Sequence, residues 1–506
     1  FYYNSDFYSS VVMNMNQSFQ VARAPSSRYL FYRVLGYLLV MLSGIMLIGC
    51  GVAVGYGEKG LWTFLACAVF TCSCGYFLVY KGRHQFRLKN RQLFLLTTLS
   101  WLIICLFGSL PLYWLIPNCT YTDAWFETVS ALTTTGSTVF SGLEKLPKSV
   151  LFWRCIMNWV GGIGIIVMAI AILPALKIGG MKLFKTESSD ISEKILPKSS
   201  TMSATIGLVY LVLSAVTMLG YYLAGMNGFD AITHGMTTVA TGGFANYDSS
   251  FGQYKSMPLI FWISSLCMIL AALPFVLFVS TVKGNRQALI KDPQVRAFLL
   301  IIGFCTALLT WQQVTHNNRE MFDALTHSLF NVVSIITTCG YASEDYTLWG
   351  NLPIMMFFYL TFSGACSGST SGGLKIFRIQ LAALLLMKQL KLLIHPNAVW
   401  VQKYGGKKVN DELLGNVLAF CFIYFATIGA IALALSFYEL DLVTALTGAA
   451  TAVANVGPGL GNIIGPAGNF ATLPDGAKWW LSFGMLLGRL EILTILLLLS
   501  PSYWRY

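Results

Sequence analysis

Several stretches of this chain run for about 20 residues almost without charge, the length that crosses a bilayer as a helix. One holds "LLVMLSGIMLIGCGVAV" and another ends "LTILLLLS". Lipid offers no hydrogen bonds, so a spanning backbone must satisfy itself as a helix or a closed barrel. These runs are continuous rather than alternating, which selects helices. Only 11% of the 506 residues are charged and 56% are hydrophobic, whereas a soluble domain carries about a quarter charged residues. An all-α polytopic membrane protein is therefore expected.

Ten spans can be drawn, at 28–50, 61–81, 92–116, 149–174, 201–224, 256–281, 295–313, 352–393, 411–437 and 477–500. The eighth is too long for one helix across about 30 Å of hydrocarbon. It contains "SGACSGSTSGG", residues 363–373, and is expected to break there. The opening stretch "FYYNSDFYSSVVMNMNQ", which does not start with Met, is set aside as processed or foreign sequence.

Basic residues cluster in alternate loops. Lys81, Arg83, Arg87, Lys89 and Arg91 fill one, and Lys177, Lys182, Lys185, Lys194 and Lys198 a second. Lys283, Arg286, Lys291 and Arg296 mark a third, and Lys388, Lys391, Lys403, Lys407 and Lys408 a fourth. By the positive-inside bias these loops face the cytoplasm, as do both termini. The net charge of +12 is distributed this way and does not read as a nucleic-acid footprint. The twelve cysteines lie mostly inside apolar runs, with no metal-ligand spacing and no disulfide framework.

The other four long connections each hold a half-apolar segment too short to cross, as a re-entrant helix would be. They read "DAWFETVSALTTTG", "DAITHGMTTVATGG", "DALTHSLFNVVSIITTCG" and "DLVTALTGAATAVANVG". Each begins with an aspartate (Asp123, Asp230, Asp323, Asp441), expected as the N-cap. Gly136, Gly243, Gly340 and Gly457 close them. Six residues earlier stand Ser130, Thr237, Ser334 and Thr451, and two earlier Thr134, Thr241, Thr338 and Asn455. Span, re-entrant helix, Gly turn and span thus recur four times, an internal repeat. The chain divides into a tail (1–27), a leading two-helix hairpin (28–91) and pore repeats at 92–200, 201–294, 295–410 and 411–506.

Irregular backbone at membrane depth survives only when buried in protein or lining a wet cavity. Four Gly turns meeting on a pseudo-fourfold axis present rings of carbonyls, which replace the hydration shell of a monovalent cation. Helix C-termini aimed at the axis favour a cation too. No carboxylate cage for a divalent ion is present. The filter is expected at Thr134, Thr135 and Gly136; Thr241, Gly242 and Gly243; Thr338, Cys339 and Gly340; and Asn455, Val456 and Gly457.

With "TTTGSTV", "ATGGFANYD", "TTCGYASEDY", "NVGPGLG" and "GMLLGRLEI" in place, the chain resembles the Trk/Ktr/HKT superfamily of potassium transporters, its TrkH/TrkG members above all. The likeness covers nearly everything after about residue 28. It implies a pore of four M1-P-M2 units in one chain, a homodimer in the inner membrane, and a TrkA-like cytosolic nucleotide-binding (NAD/ATP) partner. It also implies K+ as the transported ion and no other cofactor. In plant members a Ser at the first filter glycine goes with sodium transport, so Gly136 favours potassium. Unlike the potassium-channel TVGYG, no repeat but Gly457-Pro458-Gly459 keeps a second glycine two residues on.

The run holding Gly364, Gly368, Gly372 and Gly373 would weaken a helix badly. A loop beneath the filter is expected there, which the resemblance makes a gate. Arg489 and Glu491 lie within the last span, where charges face the interior and pair. At i and i+2 they do not face each other, so each needs another partner. The resemblance assigns Arg489 to the pore near the gate. Arg154 is read as an end-of-span arginine snorkelling to water. Gly161, Gly162 and Gly164 read as close helix packing. Glu127, His234, Asn331 and Gly448 share one repeat position, where the His is expected as a hydrogen-bonded packing residue. Lys375 and Arg378 are expected at the cytosolic end of the broken helix. Two alternatives stay open. One is a sodium-conducting protein of the same fold. The other is a secondary transporter of a small solute, which would call for inverted repeats. No nucleophile–base pair suggests an enzyme.

Overall fold

The computed structural model describes residues 28–82, 90–171, 199–285, 287–397 and 401–505. The tail 1–27 and the basic residues Arg83, Arg87, Lys89, Lys177, Lys182, Lys185, Lys194, Lys198 and Arg286 lie outside the described residues.

Every expected span is met by helix. A leading hairpin, α1 (Arg28–Gly55) and α2 (Leu61–Lys81), packs through backbone contact at Gly36 and Gly75, where any added Cβ would strike the opposite chain. The first repeat is α3 (Asn90–Gly108) with the short α4 (Leu110–Leu115), the re-entrant α5 (Tyr121–Leu132) and α6 (Lys148–Ala171). The second is α7 (Ser199–Leu223), re-entrant α8 (Gly228–Val239), α9 (Pro258–Ala271) and α10 (Phe275–Val282). The third is α11 (Pro293–His316), re-entrant α12 (Met321–Ile336), α13 (Asn351–Phe362) and α14 (Ile376–Ile394). The fourth is α15 (Asp411–Ser436), re-entrant α16 (Leu442–Ala454), α17 (Asp475–Arg489) and α18 (Ile492–Leu499). Among the described residues six helices are long and apolar enough to cross a membrane, and two bent pairs bring the count to eight. The helix α6 and the broken pair α13/α14 occupy the remaining two expected spans.

The break in the third repeat falls where the Gly/Ser run places it. Two further breaks were not read from the sequence. The stretch 256–281 bends by 90° between α9 and α10, at Leu273 and Pro274. Pro274 has no N–H to continue α9 and presets the start of α10. The stretch 477–500 bends by 113° between α17 and α18. Glu491 takes φ 63° at that corner, a left-handed conformation uncommon outside glycine. Arg489 therefore sits not inside a continuous span but at the last residue of α17, against the corner.

Three of the four re-entrant helices are capped three residues earlier than expected. Asp123 and Asp230 are third helical residues; the caps are Thr120 and Asn227, whose side chains accept the Asp123 and Asp230 N–H groups at 3.1 and 2.8 Å. Asp323 is likewise inside its helix, after Glu320. Only Asp441 caps, accepting from Thr444 N at 3.1 Å. An acid in the first turn still meets the positive end of the helix dipole, so the residue type is right and the register is not.

Two large apolar cores, with two smaller clusters beside them, hold the bundle. One joins the leading hairpin, repeat 1 and repeat 4, and the other joins repeats 2 and 3. Repeat 4 closes back on repeat 1. Lys478 of α17 pairs with Asp123 of α5 at 2.7 Å, and Trp479 stacks on Trp125 at 5.4 Å.

The candidate ion filter and the loop beneath it

At the C-terminus of each re-entrant helix the chain makes the same turn. Thr134, Thr241, Thr338 and Asn455 take φ 52°, 50°, 57° and 55°, and Gly136, Gly243, Gly340 and Gly457 take φ 86°, 68°, 86° and 112°. Left-handed threonine is costly for a β-branched residue, so the surrounding structure must impose it. A backbone bond does so four times. Thr135 N donates to Ser130 O at 2.9 Å, Gly242 N to Thr237 O at 2.9 Å, Cys339 N to Ser334 O at 2.9 Å and Val456 N to Thr451 O at 3.1 Å. The Ser/Thr position is thus anchored through its carbonyl in every repeat. In two repeats the hydroxyl adds a second tie, Thr237 Oγ1 to Phe244 O at 2.9 Å and Ser334 Oγ to Tyr341 O at 2.7 Å.

The four turns then meet in cyclic order. A Cβ added at Gly136 would fall closer than 3.0 Å to the carbonyl oxygen of Gly242, and one at Gly243 to that of Cys339. The same holds for Gly340 and the Val456 oxygen, and for Gly457 and the Thr135 oxygen. Each glycine therefore lies against the carbonyl of the next repeat, and the fourth returns to the first. Ser137 Oγ donates to Gly457 O at 2.8 Å and Asn455 Nδ2 to Thr135 Oγ1 at 3.0 Å across that last joint. All twelve expected filter residues are brought to one place. Among the described residues no cluster of three His, Cys, Asp or Glu could hold a metal ion.

The matched position nine residues before each glycine has a common task. It catches the backbone N–H three residues after the glycine. Val139 N donates to Glu127 Oε2 at 2.9 Å, Asn246 N to His234 Nε2 at 3.4 Å and Ser343 N to Asn331 Oδ1 at 3.2 Å. Gly448 has no side chain, and its neighbour Thr447 receives Leu460 N at 3.0 Å instead. His234 is the hydrogen-bonded packing residue expected, its Nδ1 lying 2.9 Å from Asp230 O. A cavity of about 170 Å³ opens outside the glycines, lined by Ser137, Phe244, Asp248, Pro458 and Phe470 among others.

The outer strand of repeat 3 is clamped by Glu344. Arg319 Nη1 and Nη2 donate to its two oxygens at 2.5 and 2.8 Å, Lys255 lies 3.2 Å away and Trp349 Nε1 donates at 2.7 Å. Burial works to raise the carboxyl pKa, but the Arg319 bonds together with the His327 and Arg319 charges and the Lys255 contact outweigh it and hold it at about 2 against an ordinary 4.5. A folded value below the unfolded one adds stability above pH 4.5 that is lost as pH falls towards 2. Arg319→Gln is therefore expected to melt lower than the parent protein at pH 7, with the gap closing towards pH 3. A gap independent of pH would show that Glu344 is not what Arg319 stabilises.

On the other side of the filter lies residues 363–373. Ser363 bridges Leu374, and Leu374 N donates to Phe362 O at 3.1 Å, so the run folds back on itself as a loop. It touches the left-handed threonines directly. Gly372 N donates to Thr338 Oγ1 at 2.7 Å, and Thr241 Oγ1 to Thr370 Oγ1 at 3.1 Å. A Cβ at Gly372 would meet the Ala454 carbonyl. Gly368 O accepts from Phe275 N at 3.0 Å, so the broken helix of repeat 2 holds the loop as well. Gly364 and Gly373 pack against each other at its base. Arg489 donates to Thr370 O at 2.9 Å and Gly161 O at 3.4 Å, while Glu491 accepts from Arg378 at 2.9 Å. Each charge thus has its own partner, as the i, i+2 spacing requires. Lys375 donates to Ser371 O, at the loop end rather than beyond it. Gly161 and Gly162 are packing positions, where a Cβ would strike Leu132 O and Ala240.

Two buried polar contacts beside the filter were missed. Arg154 does not snorkel: it is 1% exposed and pairs with Glu127 at 2.7 Å. Asn158 Nδ2 donates to the Gly242 carbonyl at 3.1 Å. A polar side chain amid "WRCIMNWVGG" was the available signal, since polar groups in spans turn inward.

A family model described as TrkH, cation transport protein, matches residues 62–506. The Trk system potassium uptake protein TrkI of Halomonas elongata is 49% identical over 474 residues, 94% of this chain and 96% of that protein. The Trk system potassium uptake protein TrkH of Vibrio parahaemolyticus is 38% identical over 487 residues, 94% and 98% of the two chains. The crystal structure of the potassium transporter TrkH from Vibrio parahaemolyticus superposes with a TM-score of 0.87 at 34% identity, covering 95% of this chain and 100% of that one.

Proposed function

This chain belongs to the TrkH cation transport family, a family of transporters rather than enzymes, and from that premise we propose that it takes up potassium through the ring of Gly turns. The observation that carries the reading is the cyclic contact of Gly136, Gly243, Gly340 and Gly457 with the carbonyls of Gly242, Cys339, Val456 and Thr135. Four carbonyls around one axis offer a monovalent cation the oxygen shell it loses on leaving water. The ion descends its electrochemical gradient, and an interior-negative potential contributes about 2.3 kcal/mol per charge per 100 mV. Relatives named as parts of a Trk system potassium uptake apparatus support the choice of ion. In this reading the protein sits in the cell inner membrane and works with a TrkA-like cytosolic nucleotide-binding subunit. Assembly as a homodimer and cytoplasmic termini complete the reading.

Flux of K+, Rb+, Na+ and Li+ into liposomes holding the purified protein tests it. Potassium and rubidium should pass and sodium and lithium should lag. Equal rates for all four would replace the potassium reading with that of a poorly selective pore of the same fold.

In this reading residues 363–373 gate the pore. The loop bonds to Thr338 and Thr241 directly under the filter. Deleting residues 368–372 should raise basal rubidium uptake severalfold, at equal protein and equal melting temperature. Uptake at or below that of the parent protein would remove the gate from the account.

A further inference from the structure

Arg154 and Glu127 form an ion pair with both side chains 0% exposed. A pair so buried gains little net stability against apolar residues of the same size, because desolvation offsets the attraction. Its contacts suggest another reason for it. Glu127 Oε2 accepts Val139 N at 2.9 Å, and Thr138 Oγ1 donates to Oε1 at 2.9 Å. Arg154 Nε donates to Glu127 Oε1 at 2.7 Å, Nη2 to Thr138 Oγ1 at 3.1 Å and Nη1 to Ala245 O at 3.2 Å. Its guanidinium also covers the Phe244 ring at 4.3 Å. Thr138 and Val139 follow Gly136 on the first filter strand; Phe244 and Ala245 follow Gly243 on the second. One planar fork thus bolts two neighbouring quarters of the filter together on their outer side.

The arrangement is confined to this joint. At the position of Glu127 repeats 2 and 3 carry His234 and Asn331, and repeat 4 carries Gly448. Those hold only the strand of their own repeat. The ring contact it braces, Gly136 against the Gly242 carbonyl, is the one that sets the spacing between the first two strands.

We propose that Glu127 and Arg154 are positioning residues for ion selection. The pair fixes the relative placement of the first and second filter strands, and so the discrimination between potassium and sodium. The inference rests on the filter reading above. Charge-assisted bonds to backbone are directional, and a planar fork holds geometry that a single ammonium does not.

The test is the Rb+/Na+ flux ratio in liposomes for the parent protein, R154K and the double variant E127Q/R154Q. The double variant removes both charges together, so no lone charge is left buried, and it keeps amide groups at both sites. R154K keeps the pair and loses the fork. Both are expected to lower the ratio about tenfold, the factor equivalent to about 1.4 kcal/mol of differential binding. Total rubidium flux and melting temperature should change far less. Parent-like ratios in the variants, with the parent itself selective, would make the pair a structural one and overturn the proposal. If the double variant does not accumulate, R154K alone decides, since its charge balance is intact. A parent protein that does not discriminate would instead overturn the filter reading, and the two failures are thereby told apart.

Discussion

Gly136→Ser is expected to lower the potassium-over-sodium flux ratio by about tenfold or more. Gly136 sits at φ 86°, and a Cβ there falls closer than 3.0 Å to the Gly242 carbonyl oxygen. Something must move, and both neighbours are backbone. A residue forced into this conformation stores roughly 1–3 kcal/mol of strain, and the simplest relief displaces the second strand. Selection between potassium and sodium depends on the number and field of the coordinating carbonyls. A shift costing about 1.4 kcal/mol of preference is already tenfold. Gly142→Ser separates strain from crowding. Gly142 also has a positive φ, 69°, but a Cβ there meets open space. That variant should keep the parent ratio. A parent-like ratio in Gly136→Ser would remove Gly136 from the ion path.

The second large effect is expected at Arg489. The residue is 3% exposed, and its guanidinium holds the loop through Thr370 O at 2.9 Å while also reaching Gly161 O in repeat 1 at 3.4 Å. A fixed positive charge below the filter repels a passing cation, and a buried site screens it poorly. Arg489→Ala removes the repulsion and the tether at once. Losing a charged hydrogen bond shifts an equilibrium by roughly 1.5–3 kcal/mol, or about ten- to over a hundredfold. Basal rubidium uptake without any cytosolic partner should rise accordingly. Arg489→Lys should leak less, because the charge persists while one ammonium replaces the fork. Alanine and lysine variants that both match the parent would make Arg489 an anchor of the α17 corner alone.

The fourfold plan was legible because it is local and repeated. A glycine, a residue two before it and a Ser/Thr six before it carry the turn, and both spacings survive in every copy. The break in the third repeat was legible too, since Gly and Ser at that density cannot stay helical. The bends at Pro274 and Glu491 were not. A single proline is tolerated in many spans, and nothing in "GRLEI" announces a residue at φ 63°. Three of the four helix caps were misplaced by three residues because an aspartate serves either at the cap or in the first turn. Arg154 was misread for a different reason. Its position near a span end is equally compatible with water and with Glu127, 27 residues away. Only tertiary packing decides between them, and no local spacing reports it. Asn158 was passed over although one amide in an apolar helix is a pointer inward.

The most direct measurement of the central claim is anomalous scattering from crystals of the protein grown in rubidium. The account predicts an ion on the axis where the carbonyls of Thr135, Gly242, Cys339 and Val456 converge, and loss of that ion in Gly136→Ser. Rubidium bound elsewhere, with none between the four Gly turns, would contradict it.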